Sequence, residues 1–267
     1  MNVLSLFSGI GGLELGLERA GMTVVGQVEI DEFCRKVLAK HWPEVPRHDD
    51  VRTCVDWWRG EPRPAVHVVA GGFPCQPFSK AGRREGVADE RWGWPWFAAV
   101  VRAFRPGVVI VENVAALVGD SDAFGRVLGD LAASGYDADW DCVPAASVGA
   151  PHIRDRVFVV AHANGIGRPA GWHDSGPTQV AESVHCGALV HAAGEGRAHG
   201  RAAHVSAQAP RILDAEPDDA GWWAAEPDVG RVAHGVPSRV DRLRALGNAV
   251  VPQVAEHVGR LVMAAAS

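Results

Sequence analysis

Short β-branched runs alternate with amphipathic stretches through roughly the first 160 residues of the chain, the pattern of parallel strands covered by helices. Strands are predicted at 3–6, 24–28, 66–70, 108–111 and 157–161, and helices at 12–20, 31–40, 96–104 and 123–133. The run at 66–70 reads as a strand buried on both faces. After His162 the texture changes. Residues 163 to about 230 are rich in Gly, Ala, His, Pro and Asp without a sustained period, which predicts a small irregular insert or second domain. Order returns at 236–246, and 252–264 reads as a closing amphipathic helix with Pro252 at its start. The expected organisation is a main domain at 1–162, an insert at 163–230 and a segment at 231–267 that returns to complete the first.

Composition narrows this only a little. An apolar fraction of 47% and a charged fraction of 22% in 267 residues are those of an ordinary globular protein with one large α/β domain. The apolar start at 3–10 has no basic residue before it and is soon followed by Glu14 and Glu18, so neither a signal peptide nor a membrane span is expected. Five cysteines, at 34, 54, 75, 142 and 186, form no CxxC pair and are odd in number, which predicts free thiols in a reducing cytoplasm. A net charge of −6 argues against broad coating of nucleic acid, not against a local basic groove.

Four segments carry candidate chemistry. Leu6-Phe7-Ser8-Gly9-Ile10-Gly11-Gly12-Leu13 lies between a strand and a helix, where glycines let a ligand approach the backbone and helix N–H groups remain free. Glu29, at the end of the next strand, stands where a carboxylate would bind ribose hydroxyls. A tight packing turn is the bland alternative, and the spacing is not the GxGxxG of nicotinamide enzymes. Gly71-Gly72-Phe73-Pro74-Cys75-Gln76-Pro77-Phe78-Ser79 follows the buried strand. The carboxyl end of such a strand is where ligands bind, and two prolines fix the direction of the thiol. Glu112-Asn113-Val114 follows the next strand, so Glu112 is either a cap or an acid–base group beside Cys75. Arg154 and Arg156, in Pro151-His152-Ile153-Arg154-Asp155-Arg156-Val157, are spaced to point the same way on a strand. They could pair with Glu112 or an anionic substrate, or form a surface salt bridge with Asp155.

In this order and spacing the segments resemble the cytosine-C5 DNA methyltransferase family, nearly continuously over 2–162 and again at Gly247-Asn248-Ala249-Val250-Val251-Pro252. The resemblance implies a doubly wound, mostly parallel α/β sheet of the S-adenosylmethionine-dependent methyltransferase type, with 163–230 as a small target-recognition insert. It implies that Phe7, Ser8, Gly9, Ile10, Gly11, Gly12 and Leu13 hold the methionine part of S-adenosylmethionine. Glu29 would bind its ribose, and Ile30, Asp50 and Val51 its adenine, with Pro74, Asn248 and Ala249 completing the pocket. Cys75 and Glu112 match the catalytic pair, and Arg154 and Arg156 the arginines that orient a flipped cytosine. Lys80, Arg83 and Arg84 follow as a basic lid. Histidine stands at 152 where the family usually has glutamine, and Asp89–Trp96 (DERWGWPW) matches loosely.

The implied activity is DNA (cytosine-5)-methylation through a covalent Cys75 adduct. The implied partners are double-stranded DNA and a cognate restriction endonuclease, for a cytoplasmic, nucleoid-associated monomer. No metal is expected, because the histidines around Cys186 match no structural zinc spacing. An RNA (tRNA) cytosine-C5 methyltransferase and a catalytically idle DNA-binding homologue are the alternatives. Retention of Cys75, Glu112, Arg154 and Arg156 weighs against the idle one.

Overall fold

The computed structural model describes residues 1–74, 92–164 and 237–266. Among these, one sheet is built from β1 (Asn2–Leu6), β2 (Thr23–Val28), β3 (Arg47–His48), β4 (Val68–Gly71), β5 (Val108–Val114), β6 (Tyr136–Pro144) and β7 (Asp155–Ala163), in the order β3-β2-β1-β4-β5-β7-β6. The strands β1 to β5 run parallel, and β7 is antiparallel to both β5 and β6. This is a doubly wound, mostly parallel α/β sheet. Strand order reverses between β1 and β4, so the loops leaving these neighbours diverge and open a crevice at their carboxyl ends.

The helices are α1 (Gly12–Arg19), α2 (Glu32–His41), α3 (Cys54–Arg59), α4 (Trp94–Phe104), α5 (Ser121–Ala133), α6 (Arg239–Asn248) and α7 (Pro252–Ala265). Side chains alternate between two cores, as the pleat requires. Leu4, Leu6, Val69, Val109 and Val111 face one way, into a cluster with Trp58, Phe97, Val127 and Leu131 of α3, α4 and α5. Val3, Val68, Ala70, Val108 and Ile110 face the other way, against Leu13 and Leu17 of α1 and Val254 and Val258 of α7.

Each strand and helix expected within the described residues is present, with ends shifted by a few positions. The caps explain some shifts: Asp31 accepts from Cys34 N at 3.0 Å and Asp120 from Ala123 N at 3.0 Å, and Pro95 sits in the first turn of α4. The strand β6 was not expected, because Asp137, Asp139 and Asp141 recur through it and aspartate is depleted in strands. Pairing with β7 over its whole length holds it in place. Cys34 and Cys54 are free and buried, in keeping with the expectation of free thiols, and Cys75 and Cys186 lie outside the described residues. No helix among the described residues is long and apolar enough to cross a membrane. The insert at 163–230 lies, after Asn164, outside the described residues.

Small residues bring the closing helix against the first. A Cβ on Gly16 would strike the Pro252 carbonyl oxygen and lie 2.5 Å from Ala255 Cβ, and one on Gly259 would lie 2.7 Å from Ala20 Cβ. Two backbones packed this closely have no room for a branched side chain. Gly16→Val is therefore expected to cost at least about 1–3 kcal/mol through overpacking, read as a lower urea midpoint. A parental midpoint would show that α1 and α7 are not locked together.

Candidate active site

Every candidate group among the described residues stands at the carboxyl edge of the parallel strands or on the segments that meet it. β1 exits into a loop in which Phe7 (φ 54°), Gly9 (φ 57°) and Gly11 (φ 91°) are left-handed. For Phe7 such a backbone costs about 1 kcal/mol or more. Hydrogen bonds hold it: Ser8 N donates to Val28 O at 3.1 Å, Gly11 N to Ser8 O at 3.0 Å and Gly9 N to Glu29 Oε2 at 2.6 Å. A Cβ on Gly11 would enter the Trp42 ring, whose Nε1 is fixed by Glu18 Oε2 at 2.9 Å.

Glu29 directly follows β2, with Asp31 N donating to its Oε1 at 2.8 Å. Burial pushes this carboxyl above the usual range, and the N–H groups of Asp31 and Gly9 oppose the shift. Next to it Ile30 is 72% exposed, an apolar platform beside a carboxylate. A bond from Glu29 N to His48 O at 2.9 Å carries the edge across to β3 and Asp50. The Asp50 carboxylate caps the turn at Val51–Thr53 and is gripped by the Arg52 guanidinium, with Arg52 Nη2 at 2.6 Å from its Oδ2. Solvent screens that exposed pair and leaves it weak, so the carboxylate stays available to a ligand. Two carboxylates, an exposed apolar side chain and a loop with an open Gly9 suit the cationic nucleoside S-adenosylmethionine.

On β5, Glu112 is buried, with Arg156 Nε at 3.1 Å from its Oε1. Burial raises the Glu112 carboxyl above the ordinary range, and the charges of Arg156 and Arg154 pull it back down. A Cβ on Gly72 would lie 2.5 Å from Glu112 Oε2, so this position must be glycine for the carboxylate to sit where it does. Asn113 Nδ2 donates to Phe73 O at 3.0 Å and ties the same strand to the turn after β4. Pro74 and Phe7 meet at Gly93, where a Cβ would lie 2.7 Å from Pro74 Cδ and 3.1 Å from Phe7 Cζ. The first loop and the turn that leads to Cys75 thus both pack against Gly93. Cys75, like Lys80, Arg83 and Arg84, lies outside the described residues.

The two arginines do not act alike. Arg154 precedes β7 with φ 29°, and its Nη2 donates to Gly247 O at 2.7 Å and Ala249 O at 2.6 Å, while Arg156 pairs with Glu112. Arg154 therefore fastens the segment holding Asn248 and Ala249, a role that the even spacing did not suggest. A cavity of about 480 Å³ opens between Ile10, Leu15, Trp42, His152, Arg154 and Val250; its lining does not include Phe7, Glu29 or Asp50. Of the loosely matching tryptophans, Trp94 is structural and Trp96 is exposed. Trp94 is fully buried, tilts against Phe73 with centroids 5.5 Å apart and donates to Asp130 Oδ2 at 2.9 Å. The sequence reading missed Gly72 and Asn113 as supports of the site, although both stand inside motifs that it singled out.

A family model for C-5 cytosine-specific DNA methylases matches residues 1–182. The chain is similar to Type II methyltransferase M2.BsuMI of Bacillus subtilis, 34% identical over 168 residues that cover 60% of this chain and 42% of that protein. It is also similar to Type II methyltransferase M.HgiCII of Herpetosiphon aurantiacus, 34% identical over 172 residues, 62% of this chain and 38% of that one. The matches thus span less than half the length of these curated relatives. Among solved structures, an E. coli prophage-encoded protein described as a DNA modification methyltransferase is 29% identical with a TM-score of 0.52, over 61% of this chain and 47% of that one. Spodoptera frugiperda DNMT2, 20% identical with a TM-score of 0.52 over 65% of this chain and 53% of that one, shares the fold.

Removing the Arg156 guanidinium leaves the Glu112 carboxyl buried and unpaired. Arg156→Ala is expected to lose up to about 3 kcal/mol at neutral pH, the low end for a broken buried pair because Arg156 keeps a fifth of its exposure. The folded Glu112 pKa already lies above its unfolded value. Its contribution to stability is therefore full below the unfolded pKa and is lost as pH rises through the folded one. The variant moves the folded value still higher, so its deficit should shrink on acidification. Urea titrations at pH 5 and pH 8 with equal deficits would sink this account.

Proposed function

The chain belongs to the C-5 cytosine-specific DNA methylase family, and on that premise we propose that it methylates carbon 5 of cytosine in double-stranded DNA. The observation that carries this reading is the Glu112 carboxyl. It is buried, paired with Arg156 and set against Gly72, three residues before Cys75.

Carbon 5 of cytosine is too electron-poor to accept a methyl group unaided. In the proposed reaction the Cys75 thiolate forms a bond to carbon 6, and the ring becomes an enamine that is nucleophilic at carbon 5. A free thiol has a pKa of about 8.5, so Cys75 must first lose its proton. Glu112 hydrogen-bonds to N3 and the exocyclic amine and relieves the negative charge that builds on the ring. Its upward-shifted carboxyl supports this role, since the neutral acid can donate to N3. Arg156 orients Glu112 and, with Arg154, the cytosine. S-adenosylmethionine, when bound, supplies the methyl group. Phe7 to Leu13, Glu29, Ile30, Asp50, Val51, Pro74, Asn248 and Ala249 would hold it beside the cytosine. A base then takes the carbon-5 proton, the sulfur–carbon 6 bond breaks and Cys75 is released.

Inside a duplex the target carbon is out of reach, so the base rotates out at a cost of a few kcal/mol. Lys80, Arg83 and Arg84 offset this as a basic lid, and residues 163–230 select the site. The similarity to Type II methyltransferases supports a cognate restriction endonuclease as partner, and a cytoplasmic monomer suits the role.

Two substitutions test this. Cys75→Ser should abolish trapping on duplex DNA containing 5-fluorocytosine while retaining S-adenosylmethionine binding, and equal trapping by the variant would refute the nucleophile. Glu112→Gln should keep DNA binding and lose roughly 10²- to 10⁴-fold in turnover, the range for a general acid. Methyl incorporation into tRNA but not duplex DNA would replace the DNA reading with the RNA one.

A further inference from the structure

A polar string lies beneath the loop at 7–12, on the sheet face that carries α1. Ser8 Oγ donates to Ser5 Oγ at 3.1 Å, and Ser5 Oγ donates to Glu14 Oε1 at 2.7 Å. Gln27 belongs to the same group, because it is the register partner of Ser5 on the neighbouring strand and shares its face. All four are buried: Glu14 and Gln27 are 0% exposed, Ser5 1% and Ser8 8%. Glu14 Oε2 and both amide atoms of Gln27 have no hydrogen-bond partner among the described residues.

A glutamate in the first turn of a helix ordinarily faces water and favours the helix dipole. Here it points inward, where an unmatched carboxyl costs free energy. Burial pushes its pKa upward, with the Ser5 hydroxyl opposing, so the neutral acid is favoured. The hydroxyl at its end is not in the core for packing. Ser8 stands between two left-handed residues, Phe7 and Gly9, and each of its polar groups is engaged: N with Val28 O, O with Gly11 N and Oγ with Ser5.

We propose that Glu14 is a positioning residue which, through Ser5 and Ser8, holds the loop at 7–12 in the shape that binds the methyl donor. The neutral carboxyl accepts a hydrogen bond from the Ser5 hydroxyl at Oε1. This leaves the Ser5 oxygen facing Ser8, whose hydroxyl then has a fixed acceptor. Without Glu14 the Ser5 hydroxyl is free to turn, and the loop relaxes out of its left-handed backbone. Glu14 acts at a distance, touching neither donor nor cytosine.

This rests on the reading of 7–12 as the donor site, and the test separates the two. Calorimetry with the full chain measures S-adenosylmethionine binding, and amide exchange at residues 8–12 measures the loop without ligand. Glu14→Ala should weaken binding about tenfold, the effect of one lost buried hydrogen bond and its stranded partner, and speed exchange at Gly9 and Gly11. Glu14→Gln should stay within about threefold of the parent, because its amide oxygen still accepts from Ser5. Should Glu14→Ala fail to fold, Ser5→Ala removes the link at little change in volume and is expected to show the same two effects in weaker form. Glu14→Gln binding as poorly as Glu14→Ala, or parental binding and exchange in Ser5→Ala, overturns the proposal. A parent chain that binds no S-adenosylmethionine overturns the reading of the loop itself.

Discussion

The site depends on the burial of one carboxyl beside one guanidinium. Taking Glu112 from water is costly by several kcal/mol if it stays charged, and Arg156 Nε at 3.1 Å repays part of that. The direction of β7 makes this contact possible. Because β7 runs antiparallel, its first residues lie at the carboxyl edge of the parallel strands, where Glu112 is. Arg156 is opposite Val114, one diagonal step from Glu112 on the same face. In a parallel β7 the same arginine would stand at the far edge of the sheet, and Glu112 would be buried without a partner.

Close backbone approach is the second constraint, and it makes the first usable. Gly72 gives its side-chain space to Glu112 Oε2, and Asn113 ties Phe73 to the strand that carries Glu112. Phe73 is held in turn by Trp94. The turn that ends at Pro74 is therefore placed by the same strand that places the acid. That turn inherits its position from β4 and β5, which are among the most deeply buried of the described residues.

Much of this was legible in the sequence because the motifs follow strands with strong apolar signals. Phe7–Gly12, Glu29, Gly72–Pro74 and Glu112 each come directly after a run that could only be a buried strand, and the topology of such sheets brings those ends together. What was not legible has specific reasons. The aspartates of β6 disguise a strand that exists through its pairing with β7. The spacing of Arg154 and Arg156 implied one direction, but the left-handed backbone at Arg154 lies before the strand begins and breaks the alternation. The inward orientation of Glu14 and Ser5 is not written in residue type, and nothing in the motifs singled them out. Ser5 within an apolar strand, nine residues before a glutamate, was the one available signal.

Arg154 joins the two halves of the site. Its guanidinium holds the carbonyls of Gly247 and Ala249, more than ninety residues away in sequence, while its charge still lowers the Glu112 carboxyl from the level that burial alone would set. The segment it fastens continues into Val250, whose carbonyl abuts Gly12 of the first loop so closely that a Cβ there would overlap it. The chain of contact runs from Glu112, through the strand β7 and Arg154, to the C-terminal segment and back to α1. A shift of that segment would therefore be felt at both the loop and the acid. Coupling of this kind needs no moving part, only the two hydrogen bonds of one side chain and a glycine with no room beside it.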